Sequence, residues 1–160
     1  MTNRHRFVLS FLLLMWPVVW ANAQKGQSLG VRFDAGRQVH AEVIYARYYG
    51  EHHRLDFGHS VGNYLPWEER RWIVGLNQFY NWQTAGRVRW TVGGGFVESV
   101  EVMNGSYRSF DFAVALQTGL IVDVTDNFSM GIDYRHACKV LGYITSRWNM
   151  MGGLRLDWRF

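Results

Sequence analysis

Cysteine is almost missing from this chain. Cys138 is the whole complement, and a lone cysteine closes no internal disulfide, which excludes a small secreted scaffold held together by staples. No cysteine follows the first apolar run, so a lipoprotein is excluded too. Proline is scarce at two residues, and no linker or low-complexity tract divides the 160 residues, which leaves room for one domain at most. Charge of one sign is also lacking. Seventeen Lys and Arg face 13 Asp and Glu, dispersed along the chain, and that balance argues against a nucleic-acid partner.

The chain opens on Arg4 and Arg6, runs apolar through positions 7–20, and then reads Ala21-Asn22-Ala23. Basic, apolar, small-x-small is the order of a secretory signal peptide. The apolar run of 14 residues is short of the roughly 20 needed to span a bilayer as a helix. The expectation is a leader over 1–23, removed on export, and a mature domain over 24–160. Aromatic residues are abundant, with eight Trp, eight Tyr and ten Phe beside 17 Gly. A soluble domain this small has too little interior for all those rings.

After Gln24 the pattern has period two, in segments of about ten residues separated by turn residues. Leu29, Val31, Phe33 and Ala35 open the series, followed by Val39, Ala41, Val43 and Tyr45, then Leu55, Phe57 and Val61. Trp72, Val74 and Leu76 come next, then Val88, Trp90, Val92 and Phe96, then Phe110, Phe112, Val114 and Leu116. Met130, Ile132 and Tyr134 precede the closing Leu154, Leu156, Trp158 and Phe160. Ile44 and Gln78 blur the alternation. The spacing predicts eight antiparallel strands.

Alternation alone fits a soluble sandwich or a lipocalin-like barrel as well as a membrane barrel. The composition of the polar face separates them. It mixes tiny residues (Gly30, Gly58, Ser60, Gly75, Gly93, Gly95, Ala113, Gly131, Gly153) with charges of both signs. The charges expected in the lumen are Arg32, Asp34, Glu42, Arg54, Asp56, Arg87, Arg89, Asp111, Asp133, Arg135, Arg155, Asp157 and Arg159. A solvated face has no need of small residues, whereas the interior of a narrow barrel must interlock its side chains. Connections also alternate. Short turns are expected at 50–53, 83–86 and 123–127, and long loops at 62–71, 98–109 and 139–147, with a short outer connection at 36–38. Short periplasmic turns and long outer loops mark outer-membrane barrels. Tyr80, Trp82, Trp158 and Phe160 then fall near one rim, and Tyr64, Trp67, Trp72, Phe110 and Trp148 near the other, as two interfacial belts.

The closing residues Gly153 to Phe160 look like the C-terminal signal of outer-membrane barrels, with Leu154, Leu156, Trp158 and Phe160 as the alternating residues that the barrel assembly machinery reads. More broadly, 24–160 resembles the small OmpX/OmpA-like barrels of the porin family. The segments that carry the likeness are His53-Arg54-Leu55-Asp56-Phe57-Gly58, Trp90-Thr91-Val92-Gly93-Gly94-Gly95-Phe96 and Met130-Gly131-Ile132-Asp133-Tyr134-Arg135. The resemblance implies an eight-stranded up-and-down transmembrane barrel in a bacterial outer membrane, with a lumen packed shut, and it implies no activity.

Candidate chemistry is thin. His59, Ser60 and Asn63 suggest a lipid hydrolase, but adjacent strand residues point to opposite faces and would part a Ser nucleophile from its base. The His-x-Ser spacing of deacylase barrels is lacking near the C-terminus. Glu51, His52 and His53 form a turn cluster without a third histidine, better read as solvated than as a metal site. Gly93-Gly94-Gly95 lacks the Lys-Ser/Thr of a phosphate loop and suits close packing in a strand. His59 and His136 share the lipid-side parity and, with Arg70 and Arg71, are candidates to meet lipopolysaccharide phosphates through bidentate contacts, against the plainer reading of rim residues reaching water. The expected protein is a monomeric, non-enzymatic, cofactor-free outer-membrane barrel. Its partners are lipid, lipopolysaccharide, the assembly machinery and an extracellular partner at the long loops. A narrow channel and a lipid A-modifying enzyme are the alternatives.

Overall fold

The computed structural model describes residues 26–36, 38–64, 71–142 and 148–160; the expected leader lies outside them. Eight strands follow one another: β1 (Gln27–Gly36), β2 (Gln38–Tyr49), β3 (His53–Tyr64), β4 (Arg71–Gln83), β5 (Val88–Met103), β6 (Ser106–Asp123), β7 (Phe128–Gly142) and β8 (Trp148–Arg159). Each pairs antiparallel with the next, and β8 pairs with β1, which closes the barrel. Closure satisfies every strand edge, the condition for a sheet to lie in lipid.

The register fixes the dimensions. Tyr48 donates its amide to the Gly26 carbonyl oxygen. From Tyr48 the paired residues run through Arg54, Asn81, Gly93, Gln117, Arg135 and Met151 to Gly36. One circuit therefore climbs β1 from Gly26 to Gly36. In an eight-stranded barrel that stagger tilts the strands by about 40° and leaves an interior only wide enough for side chains.

Parity places the two faces as expected. Leu29, Phe33, Leu116, Ile132 and Leu154 are among the exposed apolar residues, while the buried set is dominated by polar and charged side chains. A soluble sandwich has the reverse arrangement. Ile44, Ile73 and Phe79 break the rule from inside, each 1% exposed. They share the inward parity of their strands, which is why Ile44 disturbed the pattern and why Gln78, beside Phe79, faces out.

The connections at one end are short, as expected, spanning 50–52, 84–87 and 124–127. At the other end the expected loop 98–109 is not a loop. Strands β5 and β6 continue through it to a two-residue turn at Asn104 and Gly105, with φ of 52° and 73°. Asn-Gly with both φ values positive is the turn whose twist matches a hairpin. The alternation persists underneath, with Ser99 and Glu101 inward and Val100 and Val102 outward, and one bulge sits at Glu101/Val102. Likewise 62–64 belong to β3, 71 to β4 and 139–142 to β7, so the connections there are 65–70 and 143–147, outside the described residues. The length once read as loop is largely wall: β5, β6 and β7 reach 16, 18 and 15 residues against 10 in β1.

Candidate functional site

Among the described residues charge is concentrated in the lumen, where it is stacked in tiers. Nearest the short turns, Arg89 and Arg159 both hold Asp123 Oδ1. Above them Asp56 is gripped by Arg155 at 2.8 and 3.3 Å, by Arg54 at 2.9 Å and by the Asn81 amide at 3.0 Å, while Arg155 Nε reaches Asp157 at 2.6 Å. In the middle tier Arg32 spans Asp34 at 2.7 Å and Asp133 at 2.6 Å. Glu42 accepts from Asn77 at 2.8 Å and from Arg135 at 3.4 Å, and Gln117 accepts from both Arg32 and Arg135. Arg135 also lies 4.3 Å over the Phe79 ring, which gives an aromatic side chain a partner in a polar interior.

Arg32 and Arg54 are fully buried, at 0% exposure. Such burial costs several kcal/mol per ion unless pairing and hydrogen bonds return it. Cations and anions here match one for one: Arg32, Arg54, Arg89, Arg135, Arg155 and Arg159 against Asp34, Glu42, Asp56, Asp123, Asp133 and Asp157. The glycines of the inner face make this possible. A Cβ on Gly58 would lie 1.8 Å from Glu42 Oε1, and one on Gly153 would lie 2.1 Å from Asp34 Oδ1. Glu42 and Asp34 thus each lie over a strand position that has no side chain.

Two spaces flank the middle of the lumen. Above the middle tier a cavity of about 30 Å³, bounded by His40, Ser60, Asp111, Lys139, Asn149 and Met151 among others, has room for about one water. Below the lowest tier a hollow of about 420 Å³ opens between Tyr48, Glu51, Gln83, Arg89, Asp123 and Arg159. The ion pairs lie between the two.

Of the thirteen expected lumen charges, Arg87 is misplaced. Strand β5 begins after it, so its side chain is 80% exposed in the turn, 4.0 Å from Asp126. Asp111 sits at the upper mouth, 4.0 Å from Lys139. The rest face inward. Asp123, Glu101 and Lys139 were missed, although each continues the inward parity of its strand; the expected turn at 123–127 and loops at 98–109 and 139–147 covered all three and hid the parity.

The four candidate lipopolysaccharide contacts do not form one site. Arg70 lies outside the described residues. Arg71 shares the inward parity of Ile73, pairs with Glu101 and stacks 4.0 Å over Tyr64 at the barrel mouth, so it faces away from lipid. Tyr64 is thereby drawn off the outer belt, and Trp67 lies outside the described residues. His59, on β3, sits opposite Leu76 in mid-strand rather than at the rim. His136, on β7, is across the barrel, edge-on to Trp148 at 5.2 Å. His59 faces out and Ser60 in, so the hydrolase pair is parted by the wall. The rest of the belts stands as expected, with Tyr80, Trp82, Trp158 and Phe160 exposed toward the short turns and Trp72, Phe110 and Trp148 toward the opposite end, and Trp90 and Tyr107 join them.

No protein-family model matches the sequence, and no curated protein matches it. Solved structures do match in fold. The N-terminal β-barrel domain of Pseudomonas aeruginosa OprF superposes with a TM-score of 0.64 at 12% identity, over 86% of this chain and 98% of that one. Neisserial surface protein A gives 0.58 at 11% identity, over 84% and 94%. Ail, the attachment invasion locus protein of Yersinia pestis, gives 0.54 at 11%, over 86% and 100%. The fold is that of the small eight-stranded outer-membrane barrels, OmpX/OmpA-like as the sequence motifs implied, with an exterior built for lipid.

Proposed function

We propose that this is an exported, non-enzymatic protein of a bacterial outer membrane, a structural or surface-interacting barrel whose lumen does not conduct. The observation that carries the reading is the run of fully buried ion pairs between the two cavities, since a solute or hydrated ion meets paired side chains rather than water. Lipid surrounds the apolar band and lipopolysaccharide its outer part. Leu154, Leu156 and Trp158 line the outward face of β8 and Phe160 is exposed just past its end, where the assembly machinery would read them. An extracellular partner would meet the β5–β6 hairpin, whose Tyr107 and Arg108 are exposed at the end opposite the short turns.

Two measurements test this reading. Membrane-fractionated protein should enter the outer-membrane fraction and run as a compact band that shifts on boiling; a soluble, unshifted protein overturns the membrane assignment. In planar bilayers the folded protein should be silent across voltage and pH, and reproducible unit conductance would replace the sealed lumen with a narrow channel.

A further inference from the structure

The inward arginines and acids of the three tiers match in number, but not tier by tier. Toward the short turns Arg54, Arg89, Arg155 and Arg159 stand with Asp56, Asp123 and Asp157. In the middle tier Arg32 and Arg135 stand with Asp34, Glu42 and Asp133. The lower lumen therefore holds one positive charge more than its acids neutralise, and the middle tier one negative charge more.

The lower imbalance centres on Asp123. Arg89 of β5 and Arg159 of β8 both donate to the same oxygen, Asp123 Oδ1. The Nε–H of each arginine has no acceptor among the described residues. A guanidinium is a planar fork of N–H donors, so one shared carboxylate oxygen leaves most of both forks unused. Both arginines border the hollow of about 420 Å³ at this end. The Arg89 side chain is buried at 6% exposure, and that of Arg159, nearer the opening, is 24% exposed. Tyr48 borders the same hollow, with the Arg159 guanidinium 5.9 Å over its ring.

Gln83 brings the complementary group. Its amide N–H donates to the Glu51 carbonyl oxygen at 2.9 Å, which holds the side chain. Its own carbonyl oxygen, Oε1, is buried without a donor. Gln83 pairs with Thr91, two residues from Arg89 on β5, so Gln83 and Arg89 are diagonal neighbours about 7–8 Å apart on the inner wall. Unmet donors and an unmet acceptor around one hollow cost free energy until a group of the opposite pattern joins them. Glu51 borders the hollow as well, but it is exposed in its turn, where water and salt screen it.

We infer that this hollow binds a small carboxylate with an amide N–H beside its charge, the chemistry of an N-acyl amino acid or a peptide's C-terminal end. The carboxylate lies against Arg89 and Arg159, and its single negative charge matches the single unbalanced positive one. Its N–H donates to Gln83 Oε1. A phosphate dianion suits the hollow less, because its second charge meets Asp123 and Glu51. Lipid headgroups are on the far side of the barrel wall. The site is read from the lumen alone and stands whichever side of the membrane the short turns face.

The test is NMR of isotope-labelled protein extracted from outer membranes into detergent. N-acetylglycine should shift the backbone amides of Gly26, Gly50, Gly86 and Arg89 saturably and leave those of the β5–β6 tip in place. Its uncharged amide, N-acetylglycinamide, should shift none of them. Acetate, which lacks the N–H, should bind about tenfold more weakly, the worth of one hydrogen bond. Arg159→Gln, at the less buried arginine, should weaken N-acetylglycine by about tenfold or more while the compact unboiled band is kept. Gln83→Leu should abolish the preference for N-acetylglycine over acetate, a readout that does not depend on the arginines. N-acetyltriglycine bound more tightly than N-acetylglycine would identify a peptide end, and equal binding a single acyl amino acid. The absence of a saturable shift, equal shifts with the uncharged amide, tighter binding of inorganic phosphate, or a preference over acetate that survives Gln83→Leu would each overturn the proposal.

Discussion

Asp56 shows what a single residue carries in this barrel. Its carboxylate is shared by Arg54, Arg155 and Asn81. Removing it takes the acid from the buried Arg54 guanidinium and leaves Arg155 with Asp157 alone, a change that costs about 3–5 kcal/mol. Asp56→Leu is therefore expected to lower the urea midpoint of unfolding in vesicles by that equivalent, whereas Asp56→Asn, which keeps acceptor capacity, should cost less. An equal cost for both would mean that the charge, and not the hydrogen bonding, carries the stability. Gly58 is the same argument in negative form. An isoleucine there must displace Glu42 from Asn77 and Arg135, and Gly58→Ile should fail to give the compact unboiled band. At Gly94, which faces outward and whose added Cβ would meet nothing closer than 3.7 Å, alanine should fold normally.

Among the elements, the β5–β6 hairpin departs most from regular proportions. It is the longest pair, 16 and 18 residues, and it turns in two residues at Asn104 and Gly105. Gly105, with φ of 73°, occupies a conformation that costs a side-chain-bearing residue about 1–2 kcal/mol. Gly105→Val should lower stability by that amount without changing the fold, because the ladder below the turn is unaffected. The same tip tests orientation. A protease site inserted between Asn104 and Gly105 should be cut by protease added to intact cells, while one inserted between Ala85 and Gly86 in an opposite turn should be cut only after the outer membrane is permeabilised. The reverse result would invert the barrel in the membrane.

For the molecule as a whole, the apolar surface faces outward and the charges inward, so the surroundings complete the fold. Much of this was legible in the sequence. Strict alternation from Leu29 to Ala35 or from Leu154 to Phe160 determines which side chains share a face, because the strand period is two. Small residues among charges marked the inner face, because only they leave space for Arg32 or Asp34 in a narrow lumen. Eight segments were countable, since turn residues separate them. Other features depended on pairing. Polar residues at 98–109 read as a loop, although the parity of Ser99 and Glu101 continued through them; pairing with β4 and β6 keeps them in strand. That Arg71 turns from lipid to Glu101 follows from where β4 begins, and that Arg87 stays in solvent follows from where β5 begins, boundaries that local pattern marks weakly. Which acid each arginine holds was decided only by tertiary structure. Periodicity along one strand assigns a face, but residues on different strands become neighbours only through the register between them, and that register is set when the barrel closes.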